Sequence, residues 1–157
     1  MSAKTTEMLA YITMNYPRAD ITSLMKLSYL IDLVHIKKTG NPISSFKYIR
    51  YKYGPFDNSI YKHINKLISK NIIKEDAEHN LYCGEHIVYV CDVDHNEIPL
   101  KHLSPAEIES IKEVVNSLLG YGAKALVELT YKTKPMQKLG ATIGGNENIN
   151  IPIDLTA

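Results

Sequence analysis

Tryptophan is missing from this chain of 157 residues, phenylalanine and cysteine occur twice each, and neither charge predominates: 18 Lys and Arg face 17 Asp and Glu, a net charge of +1. Each shortage excludes something. The near-neutral balance gives no whole-chain signature of a nucleic-acid or membrane binder, so any electrostatic signal must be local. Cys83 and Cys91 lie outside a CxxC spacing and are expected as thiols in a reducing compartment. No apolar run approaches the roughly 20 residues that cross a bilayer, and the opening MSAKTTEML lacks a long apolar stretch; a cytoplasmic protein without a membrane partner is expected. GxSxG, P-loop, GxGxxG and HExxH patterns are all absent, and Gly144-Gly145 precedes no helical pattern that could present amides to phosphate. Asp32 and His35, three apart on one helix face, read as a surface pair rather than as catalytic groups. A non-enzyme without a cofactor is the expectation.

What is present is helical periodicity. Leu24, Leu27, Ile31 and Val34 recur at spacings of three and four and mark a central core helix, with Thr22 or Ser23 as its cap and Lys37, Lys38 and Gly40 at its end. A shorter helix over about 5–15 precedes it. Residues 43–53 lose the helical period, and their aromatics favour an extended segment that Gly54-Pro55 terminates. Asp57 or Asn58 caps a third helix whose inner face is Ile60, Ile64, Leu67 and Ile68. Short strands are expected over 72–75, 81–83 and 87–91. Ser104, Pro105 and Glu107 form a strong helix start, and a last helix over about 123–131 ends before Pro135. The predicted fold is α+β and mainly helical: about five helices with a small antiparallel β-hairpin or sheet, winged-helix-like in the middle. Residues 1–139 form one domain, and 140–157 a mobile tail or an added edge strand.

Three constellations could carry function. Eleven tyrosines supply most of the aromatic surface, each with a hydroxyl that needs water or a partner, and tyrosine is favoured at protein interfaces for that reason. Tyr48, Tyr51, Tyr53 and Tyr61 gather around Pro55 as a candidate partner-binding surface. Among them Tyr51 is the expected contact, and Tyr61, bordering the apolar helix face, is expected to act mainly as scaffold. Secondly, the segment 47–74 is basic, with Arg50 among its cations, and Lys62, Lys66 and Lys70 stripe the third helix ahead of a hairpin, the order of a DNA-binding winged helix. Lysines four apart are also what any solvated helix face looks like, and that helix has no arginine for a bidentate guanine contact. Thirdly, His79, Cys83, His86, Cys91 and His95 have spacings a zinc site could use, but strand alternation sends neighbours to opposite faces, so scattered polar side chains are the stronger reading.

Four segments in order resemble a known family. KLSYL at 26–30 is similar to a Lys-Leu-x-Tyr-Leu helix motif, YKYGPF at 51–56 to a Trp-x-Tyr-Gly-Pro-Val core with Tyr61 following it, LSPAEIESI to a late helix, and ALVELTYKTKPM to a closing Leu-x-x-Leu-Thr-His and Pro-Trp segment. Together they resemble the Panacea domain, also called SocA-like or phage-associated GepA-like. Tyr51, Met136, Tyr131 and Phe56 depart from that pattern by apolar or aromatic exchange, which a core can repack around. The resemblance implies a mostly helical domain with a small sheet, no cofactor, and an antitoxin that neutralises a cognate toxin, encoded beside it, by direct binding. A DNA-binding regulator is the alternative.

Overall fold

The computed structural model describes residues 2–80, 84–94, 98 and 100–157. Among these described residues are six helices and two two-stranded antiparallel sheets, an α+β fold that is mainly helical. Helix α2 (Ile21–Thr39) runs through the middle and is buried on most sides, with Leu24, Met25, Leu27, Tyr29 and Ile31 almost wholly out of solvent. Helices α1 (Ala3–Asn15), α4 (Pro105–Ser117) and α5 (Ala123–Tyr131) pack around it.

Local chemistry explains where these helices begin. Asp20, not Thr22 or Ser23, caps α2, its Oδ1 accepting from Ser23 N at 2.7 Å, and Gly40 closes the helix in the left-handed conformation, φ 85°. Ser104 and Glu107 form a reciprocal capping box on α4, and the Glu107 carboxylate also pairs with Lys4 of α1. Helix α3 (Ile60–Ser69) starts at Ser59, which makes no side-chain cap; Asp57 instead ties the turn, accepting from Ser59 N and from Lys47 N. A short α6 (Lys134–Lys138), which begins one residue before Pro135, adds a sixth helix where five were expected.

The extended segment before Gly54 is half of a hairpin, β1 (Ile49–Tyr51) with β2 (Gly54–Phe56), paired Ile49 to Phe56 and Tyr51 to Gly54. After α3 come two eight-residue strands, β3 (Ile73–Asn80) and β4 (Gly84–Cys91), longer than the strands expected over 72–75 and 87–91; the strand expected over 81–83 lies outside the described residues. This second hairpin follows α3 as a wing would, but residues 40–59, including β1 and β2, separate α2 from α3 where a helix-turn-helix has a tight turn. It docks on the α1–α2 junction instead, through Tyr89 N to Ala19 O at 2.8 Å and Arg18 to Asp76 and Glu78.

Asp32 and His35 are not a surface pair. Both are buried on α2 and point to different neighbours. Asp32 accepts from Ile43 N (2.8 Å), Ser44 N (3.0 Å), Ser44 Oγ and the Tyr48 hydroxyl (2.7 Å), which pins the chain between Ile43 and Tyr48 onto α2. His35 Nδ1 lies 2.8 Å from Ser110 Oγ and joins α2 to α4.

Candidate protein-binding face

The β1–β2 hairpin is where the tyrosines divide. Strand alternation sends successive side chains to opposite faces. Tyr48 and Arg50 go inward and Tyr51 goes outward. Tyr51 stacks beside Phe56 with ring centroids 5.5 Å apart, and Phe56 meets Tyr61 of α3 at 6.5 Å, so three rings form one ladder across hairpin and helix. Tyr51, Tyr53 and Tyr61 are 50%, 54% and 43% exposed, amounts too large for core residues. Half-exposed tyrosines of this kind, with an apolar ring and a polar hydroxyl, are favoured in interface hot spots.

The other proposed contacts belong to the interior. Tyr48 is buried, edge-on to Tyr29 and Phe46, with its hydroxyl held by Asp32. Pro55 is buried as well, its carbonyl accepting from Lys26 Nζ at 3.1 Å. Neither offers a side chain to a partner. Tyr61 is corrected in the opposite sense: it sits one residue beyond the inward face of α3 and belongs to the exposed ladder rather than to the scaffold.

Three of the sequence motifs converge beneath this face. Gly54, at φ +111°, leaves room for a Cβ only 3.1 Å from Thr130 Oγ1 and 3.4 Å from Lys26 Cε, so KLSYL, YGP and the closing LTY segment meet at one backbone position. Tyr29, the tyrosine of KLSYL, has its hydroxyl 2.8 Å from Thr133 Oγ1, and Tyr131 donates to Lys52 O at the hairpin turn, 3.1 Å away. The motifs are a cradle for the hairpin.

Burial lowers the Lys26 amine from its ordinary 10.5 to about 8, with Asp20 opposing the shift. A base whose folded pKa falls below its unfolded one is protonated more in the unfolded state, so stability increases with pH between those two values. Urea denaturation at pH 7 and pH 9.5 should therefore show a gain of about 2 kcal/mol, which disappears in Lys26→Met. An equal gain in both proteins would assign it to another group.

Arg50, one of the cations of the basic segment, does not contribute to a charged surface. It is instead fully buried. Its guanidinium donates to the carbonyls of Tyr51, Thr142 (2.8 Å) and Gly145 (3.2 Å) and lies over the Tyr131 ring at 5.5 Å. The signal was present in the strand period, since the face that buries Tyr48 must also bury Arg50.

Lys62, Lys66 and Lys70 do lie on the outer side of α3, Lys62 and Lys70 exposed and Lys66 half-buried. Lys66 and Lys70 border a groove of about 250 Å³ that Lys101 and His102 also line. Of the five possible zinc ligands, Cys83 and His95 lie outside the described residues. The hairpin register sets His79 and Cys91 at opposite ends of one face, ~20 Å apart at ~3.4 Å per residue, and turns His86 to the other face. Among the described residues no group of three or more is placed to hold a metal ion, and no helix is long and apolar enough to cross a membrane.

No curated protein and no solved structure matches the chain. A family model does: the one described as antitoxin SocA-like, Panacea domain, matches residues 24–135, from the first turn of α2 to the second residue of α6. That stretch holds three of the four motif segments whole, the fourth up to Pro135, and the whole aromatic ladder, and on it the chain belongs to the SocA-like antitoxin family of the Panacea domain.

Proposed function

We propose that the protein neutralises a cognate toxin, encoded beside it, by direct binding through the Tyr51–Phe56–Tyr61 ladder and Tyr53, without chemistry of its own. The observation that carries this reading is three exposed tyrosines, two on a hairpin fixed by buried hydrogen bonds and one on the adjoining α3. A rigid aromatic platform loses little conformational entropy on binding, which favours affinity. Co-expression of the neighbouring open reading frame tests it: growth should stop with the neighbour alone and resume with both, and a harmless or unrescued neighbour would end the proposal.

Tyr51→Ala should weaken toxin binding by about 2 kcal/mol, roughly 30-fold, while the melting temperature barely moves. Tyr61→Ala should behave in the same way, since its ring is exposed. Calorimetric titration with a parallel melting curve checks both; unchanged affinity in a folded Tyr51→Ala protein removes that residue from the interface.

A second reading, DNA binding, draws on the lysines around the groove of α3. Each phosphate neutralised releases counterions, so affinity for the promoter would fall steeply with salt and Lys62, Lys66 and Lys70 to glutamine would abolish it. Salt-insensitive or absent binding to that DNA removes this second reading.

A further inference from the structure

Residues 136–157 lie beyond the part of the chain that the family model matches, yet they cover part of the hairpin. They run along the free edge of β1: Arg50 N donates to Ile151 O (2.8 Å), Asn150 N to Arg50 O (2.7 Å) and Ile153 N to Tyr48 O (2.9 Å), with a bridge between Ile49 and Pro152. Upstream, Gly144 N donates to Lys52 O, and the Thr142 and Gly145 carbonyls take the Arg50 guanidinium. Two observations set this strap apart from the core. Of residues 142–157 only Ile153 is buried. Secondly, the buried Arg50 cation is poorly matched: three neutral carbonyls accept from it, Nε has no partner among the described residues, and the one carboxylate nearby, exposed Glu147, stands 3.6 Å from Nη2. A desolvated guanidinium is best satisfied by a bidentate carboxylate, whose two oxygens fit its fork of donors.

The geometry points to a strand-addition site. Resting on the reading as a toxin-binding protein, we infer that the C-terminal strap fills in cis the β1 edge that an extended, carboxylate-bearing segment of the toxin takes in trans, with Arg50 as its anion anchor. Main-chain pairing along β1 supplies affinity in such recognition, and one side-chain site supplies specificity. The incoming strand also lies beside Tyr51 and Tyr53, so aromatic face and edge form one surface.

Two measurements on the 157-residue chain test this without the toxin, so that a failed rescue in cells and a failed strand exchange remain distinguishable. Hydrogen exchange should show the amides of Arg50, Asn150 and Ile153 exchanging at least about 100-fold faster than those of residues 29–31 in α2, because the strap opens without global unfolding. Equal rates would make the strap part of the cooperative core and overturn the inference. In the second, a labelled synthetic peptide with the sequence of residues 145–157 is titrated into wild type and into Asn150→Pro. Asn150 is exposed and has φ +66°, which proline cannot adopt, so the variant loosens the strap and leaves the core packing alone. Removing the tethered competitor should tighten peptide binding at least about tenfold. No binding to the variant, or loss of its folded core, overturns the inference. A peptide carrying Glu147→Gln should bind several-fold more weakly, and equal binding removes Arg50 as the anchor.

Discussion

Gly54→Val should lower stability by about 4 kcal/mol, a large part of the 5–15 kcal/mol that holds a domain of ordinary stability together. Two causes act at this position. The backbone has φ +111°, a conformation that costs a side-chain-bearing residue about 1–2 kcal/mol. The new Cβ would also stand 3.1 Å from Thr130 Oγ1 and 3.4 Å from Lys26 Cε, groups on α5 and α2 that are themselves buried, and overpacking of this kind costs about 1–3 kcal/mol. Thr130→Ala separates the causes: Gly54→Ala, which carries the same Cβ, should cost about 2 kcal/mol, and adding Thr130→Ala should relieve the steric part but not the backbone part. Urea denaturation of this double-mutant cycle reads the coupling directly. Additive effects would show that Thr130 does not set the space at Gly54. Toxin and peptide affinities should fall only in proportion to the unfolded fraction.

The second large effect is expected at Asp32. Removing its carboxylate leaves four donors inside the core without their acceptor: two backbone amides, the Ser44 hydroxyl and the Tyr48 hydroxyl. Each buried polar group stranded in this way costs about 1–3 kcal/mol, less where it can turn to another partner. Ser44 Oγ is already engaged as an acceptor, from Phe46 N, while its hydroxyl proton can rotate. A net loss of about 4 kcal/mol in Asp32→Ala follows. Asp32→Asn retains one carbonyl oxygen and should lose about half of that. Denaturation curves of the two variants check the order; an Asp32→Ala protein as stable as wild type would mean that the carboxylate carries no weight in seating the hairpin. Because Asp32 holds Tyr48, and Tyr48 precedes β1, the loss should also be felt as faster exchange of the hairpin amides.

Much of the framework could be read in advance. The apolar period gave α2 and the Ser104–Glu107 box gave α4, because each of these signals is local and is satisfied within a few residues. The ladder was partly legible for a similar reason: tyrosine density pointed to the hairpin, but only the register of β1 against β2 decides that Tyr51 faces water while Tyr48 does not. Asp32 and Arg50 were misplaced because a charge in a sequence is read as solvated unless its partners are known. Those partners lie 11 to 16 positions away for Asp32 and, for two of the Arg50 acceptors, are backbone carbonyls more than 90 positions away. Asp20 as the α2 cap was overlooked for the hydroxyl residues just after it. β3 runs well past the expected 72–75 because polar residues such as Glu75, Asp76 and Glu78 remain in it, where main-chain pairing with β4 outweighs weak strand propensity.

The most direct measurement of the central proposal is the affinity of the purified toxin for a protein in which Tyr51, Tyr53 and Tyr61 are all replaced by serine. The hairpin hydrogen bonds and the buried cradle are untouched by these changes, so the melting temperature should stay within a few degrees of wild type. The expected result is a loss of affinity of at least about a thousandfold, as when the central anchors of an interface are removed together. A folded triple variant that binds the toxin within about threefold of wild type would contradict the assignment of this face.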